Sequence, residues 1–445
     1  AVDFGKVANQ NLHALRDVDF VILTHPNFMS QAERLKDFHA VHDPDLNILV
    51  TTPELIYNEF SCGAKDITAI RDFCRMLYLD SNAGREIKYL LLMGDASFDQ
   101  KNRSGLVDFV PAYETVASID GLDTFVTDDY FGFFDENEGN INASLADIGI
   151  GRFPIQTVEQ ASQMIDKIEQ YVERNENTMQ PWRNVVTFVT DDDAGFVRDA
   201  EKLADSLQTK FGGADLVIDK IYLDAYNQIS TPNGELAPEV NAAINNRMEK
   251  GTLVMNYTGH GGEVQLSEER ILQRKDVDSW RNSPMFPMMI TGTCEFSRYD
   301  DDARTSLGEY SFLNQYGGMI AMFTTSRATY GTHNMDFNHG VYRNLFRING
   351  GELTRIGDVY RRAKSSGYAV EKRYVLFGDP ALRINYPKWT VETVSMPDTI
   401  KALQPVEIKG VVKDLNGHLA SGFNGVVYVT VYDKESRLAT KGTAT

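Results

Sequence analysis

Residues 251–297 read GTLVMNYTGHGGEVQLSEERILQRKDVDSWRNSPMFPMMITGTCEFS, and their pattern decides the fold. Two apolar runs, 252–257 and 287–290, have the composition of buried strands, and each ends in a turn of small residues. The first turn carries His260 and the second carries Cys294. In an open α/β sheet the functional residues lie in the crevice beyond the carboxyl ends of the strands. Two adjacent parallel strands would therefore hold an imidazole and a thiol side by side, although 34 positions separate them. Such a pair is the minimum for nucleophilic cysteine chemistry, because the imidazole takes the thiol proton and later hands it to the leaving group. A lone buried cysteine is more often an inert small apolar residue. Here the two turns match, and Gly261 and Gly262 leave backbone N–H groups to face an oxyanion, which favours the catalytic reading.

Outward from this stretch the same rhythm continues. Strand-like runs at 19–24, 47–52, 87–94, 148–153, 184–190, 216–223 and 319–325 alternate with helical patterns at 32–40, 68–78, 158–174, 197–210, 238–249, 306–315, 338–346 and 353–366. Near-continuous apolar runs such as IKYLLLMG mark central parallel strands, and the alternation predicts an α/β sandwich. The polar stretch ERNENTMQPW at 173–182 divides the chain into an N-terminal α/β subdomain, 19–178, and a catalytic one, 179–386, after a lead-in at 1–18. Residues 387–445 alternate in short pieces with a turn at Asn416-Gly417, as at the start of an Ig-like β-sandwich module. The pattern stops in mid-course at Thr445, so the chain reads as truncated. It starts at Ala1 with no signal-peptide pattern, which points to removal of a preceding segment.

Composition narrows the function. In this chain of 445 residues, 44 basic and 63 acidic residues give a net charge of −19, and no basic run occurs, which argues against nucleic acid as a partner. Three cysteines are an odd count, and Cys62 and Cys74 are expected to stay free. No run of 18 apolar residues is present to span a bilayer. Asp128, Asp129, Asp135, Glu136 and Glu138 crowd a loop at 127–140, which is either a calcium loop or a solvated acidic one; its spacing is not that of an EF-hand.

The motifs NYTGHG, TCEFSRYDDDARTSLGE (293–309), GGMIAMFTTSR (317–327) and FGDP (377–380) resemble those of the gingipain-like cysteine peptidases of family C25, clan CD. YNEFSCGAKDITAIRDF (57–73), YLLLMGDASFD (89–99), TDDYFGFFDENEG (127–139) and DIGIGRFP (147–154) extend the resemblance toward the PorU-type sortases of the type IX secretion system, over residues 19–386. The resemblance implies two caspase- or gingipain-like subdomains and a peptidase acting through a Cys294 acyl-enzyme, with His260 as general base and acid. The N–H groups of Gly261 and Cys294 would form the oxyanion hole. A carboxylate after the strand that follows Trp182 would orient His260, which favours Asp193, with Asp192 next and Asp147 a weaker rival. Glu295 and Trp280 are candidates for substrate contact, and Trp280 is equally a core residue. Asp300, Asp301 and Asp302 are either a cation site or a solvated loop, Glu309 reads as structural, and His333 or His339 could approach the site.

The resemblance further implies removal of the folded C-terminal signal domain of secreted cargo and transfer of the cargo to anionic lipopolysaccharide. The place would be the outer face of the outer membrane, the partners PorV-like and PorZ-like proteins of the secretion complex. No cofactor is required for that chemistry, and structural calcium is compatible with it. A gingipain-type endopeptidase that only hydrolyses, or a non-enzymatic scaffold, remain the alternatives.

Overall fold

The computed structural model describes residues 9–441 apart from 104, 106, 118–122, 140, 142–143, 214, 233, 302, 365–368, 402, 428, 430 and 432–438. Ten strands form one sheet: β1 (Phe20–Thr24), β2 (Ile48–Thr51), β3 (Tyr89–Met93), β4 (Gly149–Phe153), β5 (Val185–Thr190), β6 (Val217–Tyr222), β7 (Val254–Thr258), β8 (Met288–Gly292), β9 (Ala321–Thr325) and β10 (Tyr374–Phe377). Their order across the sheet is β2-β1-β3-β4-β10-β9-β8-β7-β5-β6. All neighbours are parallel except β9 and β10, so strand direction reverses between the two halves. Every residue of β1, β3, β4, β7, β8 and β9 is buried, as expected of strands covered on both faces, whereas the edge strand β6 is largely half-exposed. This is the α/β class that the alternation predicts.

Helices α1 (Met29–His42), α2 (Pro53–Phe60), α3 (Ile67–Leu79), α4 (Val158–Val172), α5 (Ala194–Thr209), α6 (Pro238–Lys250), α7 (Arg274–Ser279), α8 (Leu307–Leu313), α9 (Gly331–Leu345) and α10 (Ile356–Ala363) make the crossovers. Several begin on cap residues readable in the sequence. Thr157 and Gln160 form a capping box on α4, and Ser306 with Glu309 forms one on α8, each satisfying orphan N–H groups of the first turn. Glu309 is thus structural in its contacts.

The strands of 19–178 and those of 179–386 lie in this one sheet, joined where Phe377 of β10 pairs with Arg152 of β4. The FGDP motif makes that seam. A Cβ on Gly151 would come within 2.2 Å of the Gly378 carbonyl, so the strands meet only because glycine stands there. Asp379 of the motif is buried and accepts from His39 Nε2 at 2.6 Å. The antiparallel β10 was not foreseen, because four apolar residues before a glycine carry no mark of direction. Beyond 387 the described residues form a two-stranded antiparallel ribbon, Trp389–Ser395 with Lys409–Asp414. The next expected strand, 424–433, falls partly outside the described residues, and among the described residues the ribbon alone does not establish the expected Ig-like module.

Candidate active site

After β5 the chain goes outward to β6, then returns across β5 to β7 and on to β8. The crevice beyond the carboxyl ends of β5 and β7 is therefore a topological switch point, the place where α/β sheets bind ligands. β7 and β8 pair in parallel with Thr258 opposite Gly292. His260 and Cys294 each stand two residues past that pair, so the strand register alone brings the two turns together. The turns stay joined beyond the strands. Gly259 N–H donates to the Gly292 carbonyl at 3.3 Å, and a Cβ on Gly261 would lie only 2.7 Å from Thr293 Oγ1.

Cys294 is half-buried and His260 is exposed. The Cys294 sulfur accepts from the Thr329 N–H at 3.4 Å, and its thiol donates to the Thr329 carbonyl at 3.6 Å. Sequence reasoning missed Thr329, which arrives from the loop after β9, 35 positions later. Among the described residues the N–H groups of Gly261 and Cys294 have no hydrogen-bond acceptor, as an oxyanion hole requires. Gly262 differs from expectation: its N–H donates to the Gln265 carbonyl at 3.1 Å in the tight hairpin after the His260 turn.

The His260 backbone is clamped. Its N–H donates to Asp191 Oδ2 at 2.8 Å, and its carbonyl accepts from the Tyr257 hydroxyl at 2.5 Å and the Ser267 N–H at 2.9 Å. Phe196 of α5 meets the imidazole edge-on, 5.3 Å between ring centres, a contact the sequence did not suggest. The aspartate bonded to the His260 turn is thus Asp191, rather than Asp193 or Asp192. Asp193 caps α5, its Oδ1 accepting from Gly195 N–H at 2.6 Å, and Asp192 Oδ2 accepts from Gln228 Nε2 at 2.8 Å. The reason is local: the first residue past β5 faces its neighbour β7, and helix capping claims the third. No carboxylate among the described residues is hydrogen-bonded to the imidazole ring itself. Burial raises Asp191 to about 6, against the pull of the His260 and Asp192 N–H groups.

All three aspartates and His260 line a cavity of about 660 Å³ together with Asp224, Glu268 and Glu269. With this geometry in place, the comparison with known proteins is decisive for the family: the sequence model of peptidase family C25 matches residues 13–385. The chain belongs to peptidase family C25. The fold agrees. The Arg-specific cysteine proteinase gingipain R (RgpB) superposes with a TM-score of 0.63 at 19% identity, covering 86% of this chain and 82% of that one. The complex of Porphyromonas gingivalis RgpB pro- and mature domains gives 0.64 at 19% identity, over 86% and 83%. Dimeric latent PorU from Porphyromonas gingivalis gives 0.52 at 20% identity, over 95% of this chain but 36% of that one. No curated protein matches the sequence. The protein is a cysteine peptidase of the gingipain type.

The C25 peptidase places the other expected residues as follows. Trp280 is buried, with its indole N–H donated to Asn245 Oδ1 of α6 at 2.8 Å; it is a core residue rather than a substrate contact, because it precedes β8 and lines no part of the cavity. Glu295, half-buried beside Cys294, has φ +47° and donates its N–H to the Arg327 carbonyl at 3.3 Å. Asp300 is buried in a two-pronged ion pair with Arg327, Asp301 pairs with Arg304, and Asp302 lies outside the described residues. In the acidic loop Asp128 and Asp129 are held by Arg152 and Lys364. Asp147 accepts from Phe134 N–H at 3.2 Å, and among the described residues it has no hydrogen bond to the His260 turn. Among the described residues, no cluster of three or more His, Cys, Asp or Glu has a metal-holding arrangement. Cys62, Cys74 and Cys294 are all free thiols. Among the described residues no helix is long and apolar enough to cross a membrane.

Proposed function

We propose that this C25 peptidase is a sortase-type transpeptidase of type IX secretion, which cuts the C-terminal signal domain from secreted cargo and passes the cargo to an amine of anionic lipopolysaccharide. Cys294 Sγ attacks the carbonyl carbon before the signal domain, the oxyanion meets the N–H groups of Gly261 and Cys294, and His260 gives its proton to the departing amine. The acceptor amine then attacks the thioester carbonyl and passes a proton to His260; the amide forms as the C–S bond breaks, and the departing Cys294 sulfur takes that proton back. No cofactor takes part, and any calcium serves the scaffold alone. The reaction is placed on the outer face of the outer membrane, alongside PorV-like and PorZ-like partners. The observation that carries the chemistry is the strand register that sets His260 and Cys294 in adjoining turns. The motifs at 57–73, 89–99, 127–139 and 147–154 support the sortase assignment.

A second reading, a gingipain-type endopeptidase that only hydrolyses, is favoured by the acidic cavity beside His260, which would suit a basic side chain. The test is mass spectrometry of a cargo bearing its signal domain after incubation with the enzyme and an amine donor. The transpeptidase reading expects the amine on the new carboxyl end, absent with Cys294→Ala. Free carboxylate as the sole product would replace it with the endopeptidase, and no cleavage by the wild type would leave a scaffold.

A further inference from the structure

A second cavity, of about 670 Å³, lies away from the His260 and Cys294 turns. Arg183 lines it and precedes β5, whereas Asp191, beside His260, follows β5. The six residues of that strand, a length of roughly 20 Å, hold the two cavities apart. The walls of the second cavity come from both halves of the sheet and from the ribbon. Phe38, Val172, Leu353, Ile384, Tyr386 and Leu415 give the apolar part. Five cations, Arg174, Arg183, Arg355, Arg383 and Lys388, face four carboxylates, Asp43, Asp45, Glu173 and Glu352.

Most of these charges have partners. Asp43 is paired with His39, Arg355 and Arg383, and Glu352 with Lys388, while Asp45 and Glu173 are exposed. Arg183 is different. It is only 6% exposed and forms no ion pair among the described residues, whereas the buried Arg152 and Arg327 each hold an aspartate. Its Nε donates to the Asn385 carbonyl at 2.7 Å, Nη2 to the Tyr386 carbonyl at 3.1 Å and Nη1 to Met179 Sδ, a weak acceptor, at 2.9 Å. A guanidinium has five N–H groups, so one on each terminal nitrogen is left over, the number that a carboxylate's two oxygens accept. The 385–386 turn that orients Arg183 is itself fixed: Asn385 donates its N–H to the Tyr171 hydroxyl at 2.6 Å and its Nδ2 to the Tyr171 carbonyl at 3.0 Å. Burial holds the Arg183 pKa below its ordinary value, and no carboxylate is among the charges that act on it. A buried charge without a counter-charge is costly, and an arriving anion removes that cost. Arg174 is exposed, and its side chain has no hydrogen bond or ion pair among the described residues, so a second unopposed guanidinium lines the same cavity.

We propose that this cavity binds the carboxylate of a small ligand with an apolar body, with Arg183 as its anchor and Arg174 as the charge that draws it in. The apolar wall receives the body of the ligand, and the Arg183 fork receives its charged end. One negative charge suits the site better than two, because a single buried guanidinium lacks a partner and four carboxylates stand in the wall against a dianion. The carboxylates around His260 repel the same ligand, so the two cavities do not compete for it. Seated here, the ligand touches both halves of the sheet and Leu415, which follows the ribbon strand Lys409–Asp414, and it stabilises the fold that holds them together.

The test is calorimetric titration of N-acetyl-phenylalanine into the full chain, with N-acetyl-phenylalanine amide as the uncharged control. The acid should bind at least about tenfold tighter than the amide, the worth of one hydrogen bond to a charged group. Arg183→Lys keeps the charge but loses the fork, and should lower the affinity for the acid about tenfold. Arg174→Glu, at an exposed side chain that supports nothing else, should lower it by a similar factor and keeps the test open if Arg183→Lys fails to fold. Saturating acid should also raise the Tm of the wild type and leave that of Arg183→Lys unmoved. Absence of binding, equal binding of acid and amide, affinity unchanged by either substitution, or tighter binding of phenyl phosphate than of the acid would overturn the proposal. The titration reads no activity, so its outcome is independent of the roles of His260 and Cys294.

Discussion

Two acidic stretches, 127–138 and 191–193, read alike in the sequence and end in opposite states. In the first, Asp128 accepts two hydrogen bonds from Arg152, at 2.7 and 2.8 Å, and Asp129 accepts two from Lys364, at 2.8 and 2.9 Å. Both aspartates and both cations are buried. In the second, no Lys or Arg ion pair reaches any of the three aspartates among the described residues, and the carboxylates line the wall of an open cavity beside His260. What separates them is whether the fold places a cation opposite. Neutralised carboxylates hold the scaffold together, and unneutralised ones leave a field available to a ligand.

The sharpest way to break this contrast is to remove the chemistry without touching the scaffold. Cys294→Ala and His260→Ala should each lower kcat/KM by about a thousandfold or more, with Tm nearly unchanged, because residues acting as a unit fail together. A Tm loss matching the activity loss would make the site structural. In the paired loop the expectation reverses. Arg152→Ala leaves Asp128 and the carbonyls of Gly94, Val110 and Pro111 without their donor. It should cost about 3–5 kcal/mol in denaturant unfolding, the usual result of breaking a buried pair.

Asp191 sharpens the comparison through pH. Its folded value of about 6 stands above the ordinary carboxyl value of 3.8 because of burial. A carboxyl raised in the folded state costs stability that sets in as pH climbs between those two values. The wild type should therefore lose roughly 2–3 kcal/mol from this group over that window, and Asp191→Asn should flatten that part of the curve. Identical pH profiles for the two proteins would contradict the buried, unneutralised state. The smallest effect belongs to Asp193: Asp193→Ala removes a helix cap and should cost about 1 kcal/mol in thermal unfolding. A kcat/KM loss as large as that of His260→Ala would instead give Asp193 the orienting role expected from the sequence.

Much of this was legible in the sequence where the determinants are local. Apolar runs marked the central strands, and the small-residue turns after 257 and 290 marked His260 and Cys294, because a strand end followed by glycines has few other uses. What depended on distant partners was not legible. Arg152 and Lys364 lie 24 and 235 positions from the aspartates they hold, and nothing in TDDYFGFFDENEG announces them. Thr329 reaches the sulfur only because β9 pairs beside β8. The choice of Asp191 over Asp193 turned on which of three consecutive carboxylates was drawn into a helix cap, a matter of one residue in register. Trp280 shows the converse: an aromatic near the site in sequence went into the core.

The most direct test of the catalytic pair compares the three thiols in one molecule. Cys74 is fully buried and its pKa is pushed up to about 12 by burial, Cys62 is exposed, and Cys294 alone lies in a turn joined to that of a histidine. Peptide mapping after brief iodoacetamide treatment near neutral pH should find Cys294 modified first, Cys62 well behind and Cys74 untouched, with Cys294 slowed at least about tenfold by His260→Ala. Equal rates at Cys294 and Cys62, unaffected by His260→Ala, would contradict the account.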